Sequence, residues 1–357
     1  MKPFTTTNAQ QKDTDPRKIK CVVWDLDHTL WKGVLLEDKD VTLKQDVAEI
    51  IKTLDSRGIL NSIASKNNYD QAMDQLKKFC MDQYFIYPQI CWDSKVVSIK
   101  KIAELINIGK DTLAFIDDQE FERDEVNYSI PEVLCVDSYD LSHLLDMPEM
   151  NPRFITDESK IRRKMYQADI LRNKTEEKYE GPQEDFLRTL KMIFRISPAS
   201  VDDLKRAEEL TVRTNQLNTT GYTYSYDELD FFLKSDKHIL LVADLEDRYG
   251  PYGKIGLCLI EKNDDIWFIK LLLMSCRVMS RGVGTVLINY IRQLAKDSSV
   301  RLLAEMIPTD VNRMMYMTYK FNHFREIDQK GALVILENDL TDIPEIPDYL
   351  TMKTGRI

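Results

Sequence analysis

Little in this chain would carry it into or onto a membrane. Its most apolar run, IWFIKLLLM, is nine residues long and broken by Lys270, well short of the roughly 20 apolar residues that span a bilayer as a helix. The head MKPFTTTNAQQKDTDPRK has no apolar core, so neither an export signal nor a membrane span is expected. Basic charge is also scarce: 49 Lys and Arg against 59 Asp and Glu leave a net charge of -10, which argues against a nucleic-acid or anionic-membrane surface. The six cysteines, at 21, 80, 91, 135, 258 and 276, form no CxxC pair and no metal-ligand spacing, and four scattered histidines offer no zinc site. A reducing, cytoplasmic setting therefore fits better than a disulfide framework. At 357 residues the chain is long enough for two ordinary domains.

What is present begins with 21–31, CVVWDLDHTLW: an apolar strand ending in Asp25 and Asp27, with the hydroxyl of Thr29 close behind. The turn after a buried strand can swing both carboxylates and nearby backbone N–H groups toward one point. Phosphoryl transfer needs that arrangement. One carboxylate attacks phosphorus while helping to hold magnesium, and the other moves a proton to and from the leaving oxygen. A polar loop after a strand is the plain alternative for DxDxT alone, and the order of later groups decides between them. Strand and helix patterns alternate from 19 to about 146. A helix with Val47, Ile50, Ile51 and Leu54 on one face stops at Gly58. The strand ILNSIA then delivers Ser65, a short strand FIYPQI precedes Lys95, and TLAFI delivers Asp117 and Asp118. Such a βαβ series builds a parallel sheet whose ligands lie at the carboxyl ends of the strands. There Ser65 can donate to a phosphate oxygen, Lys95 can neutralise the phosphoryl group, and Asp117 and Asp118 complete an oxygen-rich magnesium site. Singly, each also reads as a helix-start or turn residue.

This ordered set resembles the haloacid-dehalogenase (HAD) superfamily of aspartate-nucleophile phosphatases across 19–146. The resemblance implies that Asp25 is the nucleophile and Asp27 the acid/base, whose main-chain carbonyl also binds magnesium, and that Asp118 is the direct ligand of the final pair. The intervals 25–65 and 65–95, where caps are inserted in that superfamily, hold only core elements. An uncapped, HAD-like (Rossmannoid) parallel-sheet domain over 19–147 is expected, with an open site suited to something large or to a cover supplied by another domain.

Residues 148–185 are charged, helix-prone and closed by Gly181-Pro182, as in a helical linker. A second α/β domain is expected over 186–338, between the polar extension 1–18 at one end of the chain and a tail 339–357 at the other. Its pattern is a helix over 198–217, strands at 237–245, 253–262 and 266–274, a glycine-bearing loop, a helix over 283–294, the strand VRLLAEM, a Met-rich helix and two closing strands. A long helix directly after a Gly-bearing turn can present free backbone N–H groups to a diphosphate, and the pattern resembles the acetyltransferase fold known as GNAT. Its loop, MSRGVG at 279–284, keeps the glycines of the fold's diphosphate motif without the leading polar residue, which argues against acetyl-CoA and leaves open a pantetheine arm on a different carrier. Within LLLMSCRVMSRG stands Cys276, beside Arg277, near Arg281 and ahead of a helix start. These features favour a thiolate, although most single cysteines are small buried hydrophobes.

Over most of its length the chain resembles the FkbH-like glyceryltransferase/phosphatases of polyketide biosynthesis. The matching runs are CVVWDLDHTLWKGVL, IASKNN, FIDDQEFER, VRTNQLNTT, DRYGPYGKIG, MSCRVMSRGVG and EMIPTDVN. The chain departs from the family at PTDVN, where PTxKN is usual, and at His323-Phe324, where Gly-Phe is usual. The resemblance implies that Cys276 captures 1,3-bisphosphoglycerate as a thioester, with Arg277 and loop N–H groups stabilising the oxyanion. It further implies that the Asp25 site removes the remaining phosphate with Mg2+, and that the glyceryl group passes to the phosphopantetheine thiol of an acyl carrier protein. Arg281 and, in RTNQLNTT, Arg213, Asn215 and Asn218 are candidate substrate contacts, the last three equally readable as a capping and turn segment. The basic run Lys160, Arg162, Arg163 and Lys164 is a candidate carrier-docking patch. Two readings of other classes stay open: a phosphatase fused to an acetyl-CoA-dependent N-acetyltransferase, and a noncatalytic scaffold that docks carrier proteins.

Overall fold

The computed structural model describes residues 18–38, 40–214 and 216–355. The expected polar extension falls almost wholly outside them, as does Asn215. Contacts divide the chain into two units between Arg163 and Lys164.

In the first unit β1 (Cys21–Trp24) is buried along its whole length. A small antiparallel hairpin follows, β2 (Trp31–Lys32) with β3 (Thr42–Leu43), and then α1 (Gln45–Ser56), which buries Val47, Ala48, Ile51 and Leu54. After Gly58 come β4 (Leu60–Ser65), α2 (Tyr69–Lys78), β5 (Gln89–Ile90), α3 (Lys95–Ile106), β6 (Leu113–Asp117), α4 (Glu120–Ser129) and β7 (Leu134–Asp137). The strands pair in parallel in the order β5-β4-β1-β6-β7. β1 and β4 are buried on both faces, which is why they read as apolar runs without alternation. The FIYPQI stretch contributes an isolated bridge from Phe85 to Asn61 and the two-residue β5, interrupted where Tyr87 is left-handed at φ 48 and Pro88 follows. No cap domain interrupts 25–95 among the described residues.

Two of the four basic residues expected as a docking patch are spent on structure, while Lys160 and Lys164 are exposed. After α5 (Asp157–Lys160), Arg162 Nη1 donates to the Gly58 carbonyl at 2.7 Å, and Arg163 grips both Asp55 oxygens at 2.9 and 3.1 Å and the Gln83 carbonyl at 2.7 Å. Guanidiniums held this way on the first unit are not free to steer a partner.

The second unit takes in α6 (Arg162–Glu177) from Lys164 onward, then α7 (Gln183–Leu190), β8 (Met192–Pro198), α8 (Leu204–Arg213), α9 (Tyr226–Leu233), β9 (His238–Asp247), β10 (Gly250–Lys262), β11 (Ile266–Met274), α10 (Val283–Asp297), β12 (Arg301–Met306), α11 (Arg313–Phe321), β13 (Phe324–Lys330), β14 (Leu333–Asn338) and β15 (Leu350–Thr354). They form an eight-stranded mixed sheet, β13-β14-β12-β11-β10-β9-β8-β15. The expected α/β class is the architecture present: a parallel-sheet domain followed by a second α/β domain built on a mixed sheet. Three boundaries differ from expectation. The helix expected over 198–217 is α8 alone, entered through a Ser200–Asp203 capping box, and it is preceded by the strand β8, whose residues alternate between buried and half-buried. The linker is not separate beyond Lys164, because Arg172 of α6 is fully buried against Asp247 of β9. The tail is not a tail: β15 pairs in parallel with β8 from Leu350–Met192 to Thr354–Ile196, a contact across the whole domain that leaves no local pattern.

Gly58 holds φ +75, and a Cβ there would lie 2.7 Å from Ser159 Cβ and 2.8 Å from the Ser159 carbonyl oxygen. Gly58→Ala should cost about 1–3 kcal/mol, read as an earlier urea transition of the first unit at unchanged magnesium.

Candidate active sites

Every polar group that the sequence pattern singled out in the first unit lies at the carboxyl edge of the parallel sheet. Asp25 directly follows β1, Ser65 ends β4, Lys95 opens α3 after β5, and Asp117 ends β6 with Asp118 next to it. The sheet brings them together because its strands are parallel and in register: the Asp25 amide donates to the Ile116 carbonyl at 2.9 Å, setting the first carboxylate beside the last pair. Asp25, Asp117 and Asp118 offer carboxylate oxygens that lie within 4.8 Å of one another. Lys95 is 3% exposed, pairs with Asp25, lies 3.0 Å from Asp117 Oδ2 and donates to the Ala64 carbonyl at 2.8 Å.

The charges explain what the cluster is for. Burial and the neighbouring charge of Asp25 push Asp117 up to about 6 in spite of Lys95, and the same two causes raise Asp118. Burial pulls the Lys95 ammonium down, but Asp25 and Asp117 outweigh it and hold it above the ordinary lysine value. Three carboxylates and one ammonium leave two negative charges uncompensated. A divalent cation removes that repulsion, and an all-oxygen donor set suits magnesium. Mg2+ fits this site.

Asp27 stands apart from the ligand cluster. Its Oδ1 accepts from Trp31 Nε1 at 2.7 Å and from the Leu35 amide at 3.0 Å, and its Oδ2 accepts from Asn67 Nδ2 at 3.0 Å. The magnesium contact expected at Asp27 is through its main-chain carbonyl, so these side-chain bonds do not bear on it. Burial raises its pKa against the pull of Leu35 and Trp31, as suits a general acid. Thr29, whose hydroxyl is like that of Ser65 a candidate phosphate contact from the sequence, is buried and donates to Asp118 Oδ1 at 3.5 Å. Trp31 and Asn67 were not singled out by the sequence pattern, since neither is a nucleophile, acid or metal ligand.

In the second unit Cys276 is half-buried and opens a short 3-10 turn, 276–278, after β11. Gly282 follows at φ +73 and α10 begins at Val283. Cys21 and Cys258 are fully buried, and burial pushes both thiols far up; Cys135 is raised to about 11, first by burial. Cys80 is exposed, so what distinguishes Cys276 is its place in the loop rather than exposure. The arginines beside it belong to a buried network. Arg277 Nη2 donates to the Tyr252 carbonyl at 2.7 Å, while its Nη1 lies 3.9 Å from Asp169 and makes no hydrogen bond. Arg281 Nη1 pairs with Glu176 at 2.8 Å and leaves its buried Nε without a partner. Arg172 closes the network with Asp247 at 2.7 and 2.9 Å, Asp169 at 2.6 Å and the Tyr252 ring at 3.8 Å. Arg213, half-buried at the end of α8, is lowered by burial despite Glu209, with Arg206 and Arg277 adding to the effect.

The RTNQLNTT segment resolves toward structure. Asn218 is 1% exposed, its Oδ1 accepts from the Thr220 and Gly221 amides at 3.2 and 2.9 Å, and its Nδ2 donates to the Tyr222 carbonyl. An amide spent on its own turn is not available to substrate. Strands β11 and β12 pair only from Ile266–Arg301 to Ile269–Ala304. Beyond that they part, and 217–219 fills the gap: the Met274 amide donates to Leu217 O at 2.9 Å, Thr219 N to Leu272 O at 3.1 Å and Ile307 N to Thr219 O at 3.0 Å. Asn312, 1% exposed, fastens this insert by donating to Asn218 O and Ile307 O at 3.0 and 2.9 Å.

No protein-family model matches the chain. It is similar to magnesium-dependent phosphatase 1 of Homo sapiens, 27% identical over 136 residues that cover 33% of this chain and 76% of that protein. A solved N-terminal part of BF1531 from Bacteroides fragilis, containing a phosphatase domain complexed with Mg, is 27% identical with TM-score 0.34. The match covers 38% of this chain and 42% of that one, less than half its length. The ribosomal-protein-S18-alanine N-acetyltransferase of Escherichia coli is 13% identical with TM-score 0.34, covering 43% of this chain and 97% of that one. No helix of the described residues is long and apolar enough to cross a membrane.

Arg172→Met should destabilise the second unit by about 3–5 kcal/mol, because it leaves Asp247, 0% exposed at its side chain, without its cation. The double variant Arg172→Met/Asp247→Leu should recover much of that loss in a urea-unfolding cycle.

Proposed function

We propose that this protein is a bifunctional glyceryltransferase and magnesium-dependent phosphatase. The observation that carries the phosphatase half is the buried Asp25–Asp117–Asp118 cluster bound to Lys95, and the similarity to a magnesium-dependent phosphatase supports it. Asp25 attacks the phosphorus of a phosphate ester, Lys95 holds the attacking carboxylate, and Ser65 at the end of β4 is in place to take a phosphate oxygen. Bound magnesium supplies charge neutralisation to the phosphoryl group. Asp27 gives a proton to the leaving oxygen and later takes one from the hydrolytic water.

The transferase half rests on Cys276 and on the resemblance of the runs between 21 and 312 to the FkbH-like enzymes. Its thiolate attacks the acyl phosphate of 1,3-bisphosphoglycerate; the C–S bond forms as the C–O bond to phosphate breaks and inorganic phosphate leaves. The glyceryl group then passes to the phosphopantetheine thiol of an acyl carrier protein, in a cytoplasmic pathway of polyketide type. The open phosphatase site supports a substrate carried on a macromolecule. The acetyl-CoA-dependent alternative is disfavoured by the loop MSRGVG at 279–284, which lacks the leading polar residue of the diphosphate motif.

Intact mass after incubation with 1,3-bisphosphoglycerate and magnesium tests the two halves separately. Cys276→Ala should form no acyl adduct yet dephosphorylate a preformed 3-phosphoglyceryl carrier. Asp25→Asn should release no phosphate from that carrier and should accumulate a phosphorylated three-carbon acyl group on Cys276. An adduct mapped to Cys80 or Cys91 would overturn the nucleophile, and full phosphate release by Asp25→Asn would overturn the carboxylate site. Chelation with EDTA should abolish phosphate release and leave the Cys276 adduct unaffected, because thiolate attack on an acyl phosphate uses no residue of the carboxylate cluster.

A further inference from the structure

Asp27 is restrained on both carboxylate oxygens. A carboxylate offers about four lone-pair positions, two on each oxygen. On Oδ1 both are taken, by the indole N–H of Trp31 at 2.7 Å and by the Leu35 amide at 3.0 Å. On Oδ2 one is taken, by Asn67 Nδ2 at 3.0 Å. A proton on Asp27 therefore has one place to ride, the remaining position on Oδ2. The donors come from separate parts of the fold: Trp31 lies in β2, Leu35 in the turn of the β2–β3 hairpin, and Asn67 just after β4. Trp31 is 0% and Asn67 1% exposed, so packing fixes both side chains and neither swings freely.

We propose that Trp31 and Asn67 are positioning residues that fix Asp27 with its proton on Oδ2, directed at the leaving oxygen, and that this makes the site a phosphatase for poor, alkoxide leaving groups. The inference rests on the phosphatase reading above. In the first step an Asp25 oxygen bonds to phosphorus as the P–O bond to the alcohol breaks, and the Asp27 Oδ2 proton goes to that oxygen, releasing the neutral alcohol. In the second step water attacks phosphorus, its proton returns to Asp27 Oδ2, and inorganic phosphate leaves with Asp25 regenerated. An alkoxide needs the proton as the bond breaks; a nitrophenolate, already a stable anion, does not. The hairpin that follows the nucleophile strand thus supplies two of the three donors that orient the acid.

The test compares kcat/KM, which reports the first step, for glycerol 2-phosphate and p-nitrophenyl phosphate in the full chain with magnesium. Trp31→Phe keeps the ring and removes the donor; Asn67→Ala removes the other. Each variant should lose about tenfold or more on the alkyl ester and stay within about twofold on the nitrophenyl ester, following the pattern of Asp27→Asn. Retained nitrophenyl turnover shows that the variant is folded and that Asp25 and the metal site are intact. Equal losses on both esters, or no loss on either, would overturn the positioning role and leave the phosphatase reading standing. Failure of the unaltered protein to hydrolyse either ester would overturn the phosphatase reading, and this inference with it.

Discussion

The ammonium of Lys95 sits between the carboxylates of Asp25 and Asp117, each nearly out of reach of water, and the first unit is built around the need to keep it there. Burying ions costs several kcal/mol apiece unless partners surround them. The partners here come from β1, from α3 and from β6, with the carbonyl of Ala64 in β4 as a fourth contact. Four elements far apart in sequence must therefore be in register before the charges are satisfied. The parallel sheet provides that register, and a divalent cation provides the remaining charge. Fold and site stability are coupled through the same few atoms.

The second unit has its own version of this constraint. Arg172 is buried with Asp247, Asp169 and the Tyr252 ring, and Arg277 reaches the Tyr252 carbonyl from the loop that carries Cys276. A helix expected to be a linker thereby helps set the backbone on which the thiol stands. Within this network Nη1 of Arg277 and Nε of Arg281 make no hydrogen bond.

The cluster of carboxylates with Lys95 in the first unit was legible because its chemistry is local in type and ordered in sequence. Asp25, Ser65, Lys95 and Asp117 each follow an apolar run, and a βαβ series sends the ends of such runs to one edge. Trp31 and Asn67 were not legible in the same way. Their importance lies in a hydrogen bond to Asp27, and a hydrogen bond between residues 40 apart, as for Asn67, has no sequence period. The same holds for Asn218, a candidate substrate contact whose side chain bonds its own turn, and for Asn312, which fastens 217–219 between parting strands.

By itself, then, the sequence determined the strands and helices with strong periodicity, the identity of the carboxylates, the place of the uncapped site, and the loop that holds Cys276. Those follow from local propensity and from side-chain chemistry that any fold of this class must place at strand ends. Tertiary structure alone decided that Arg162 and Arg163 grip the first unit and are not free for a partner, that α6 belongs to the second unit, and that β15 completes its sheet edge. It also decided which oxygen of Asp27 is left for a proton. Pairing across long stretches of chain is paid for by burial and hydrogen bonding gained only once the whole domain has formed, so no window of sequence carries its signature.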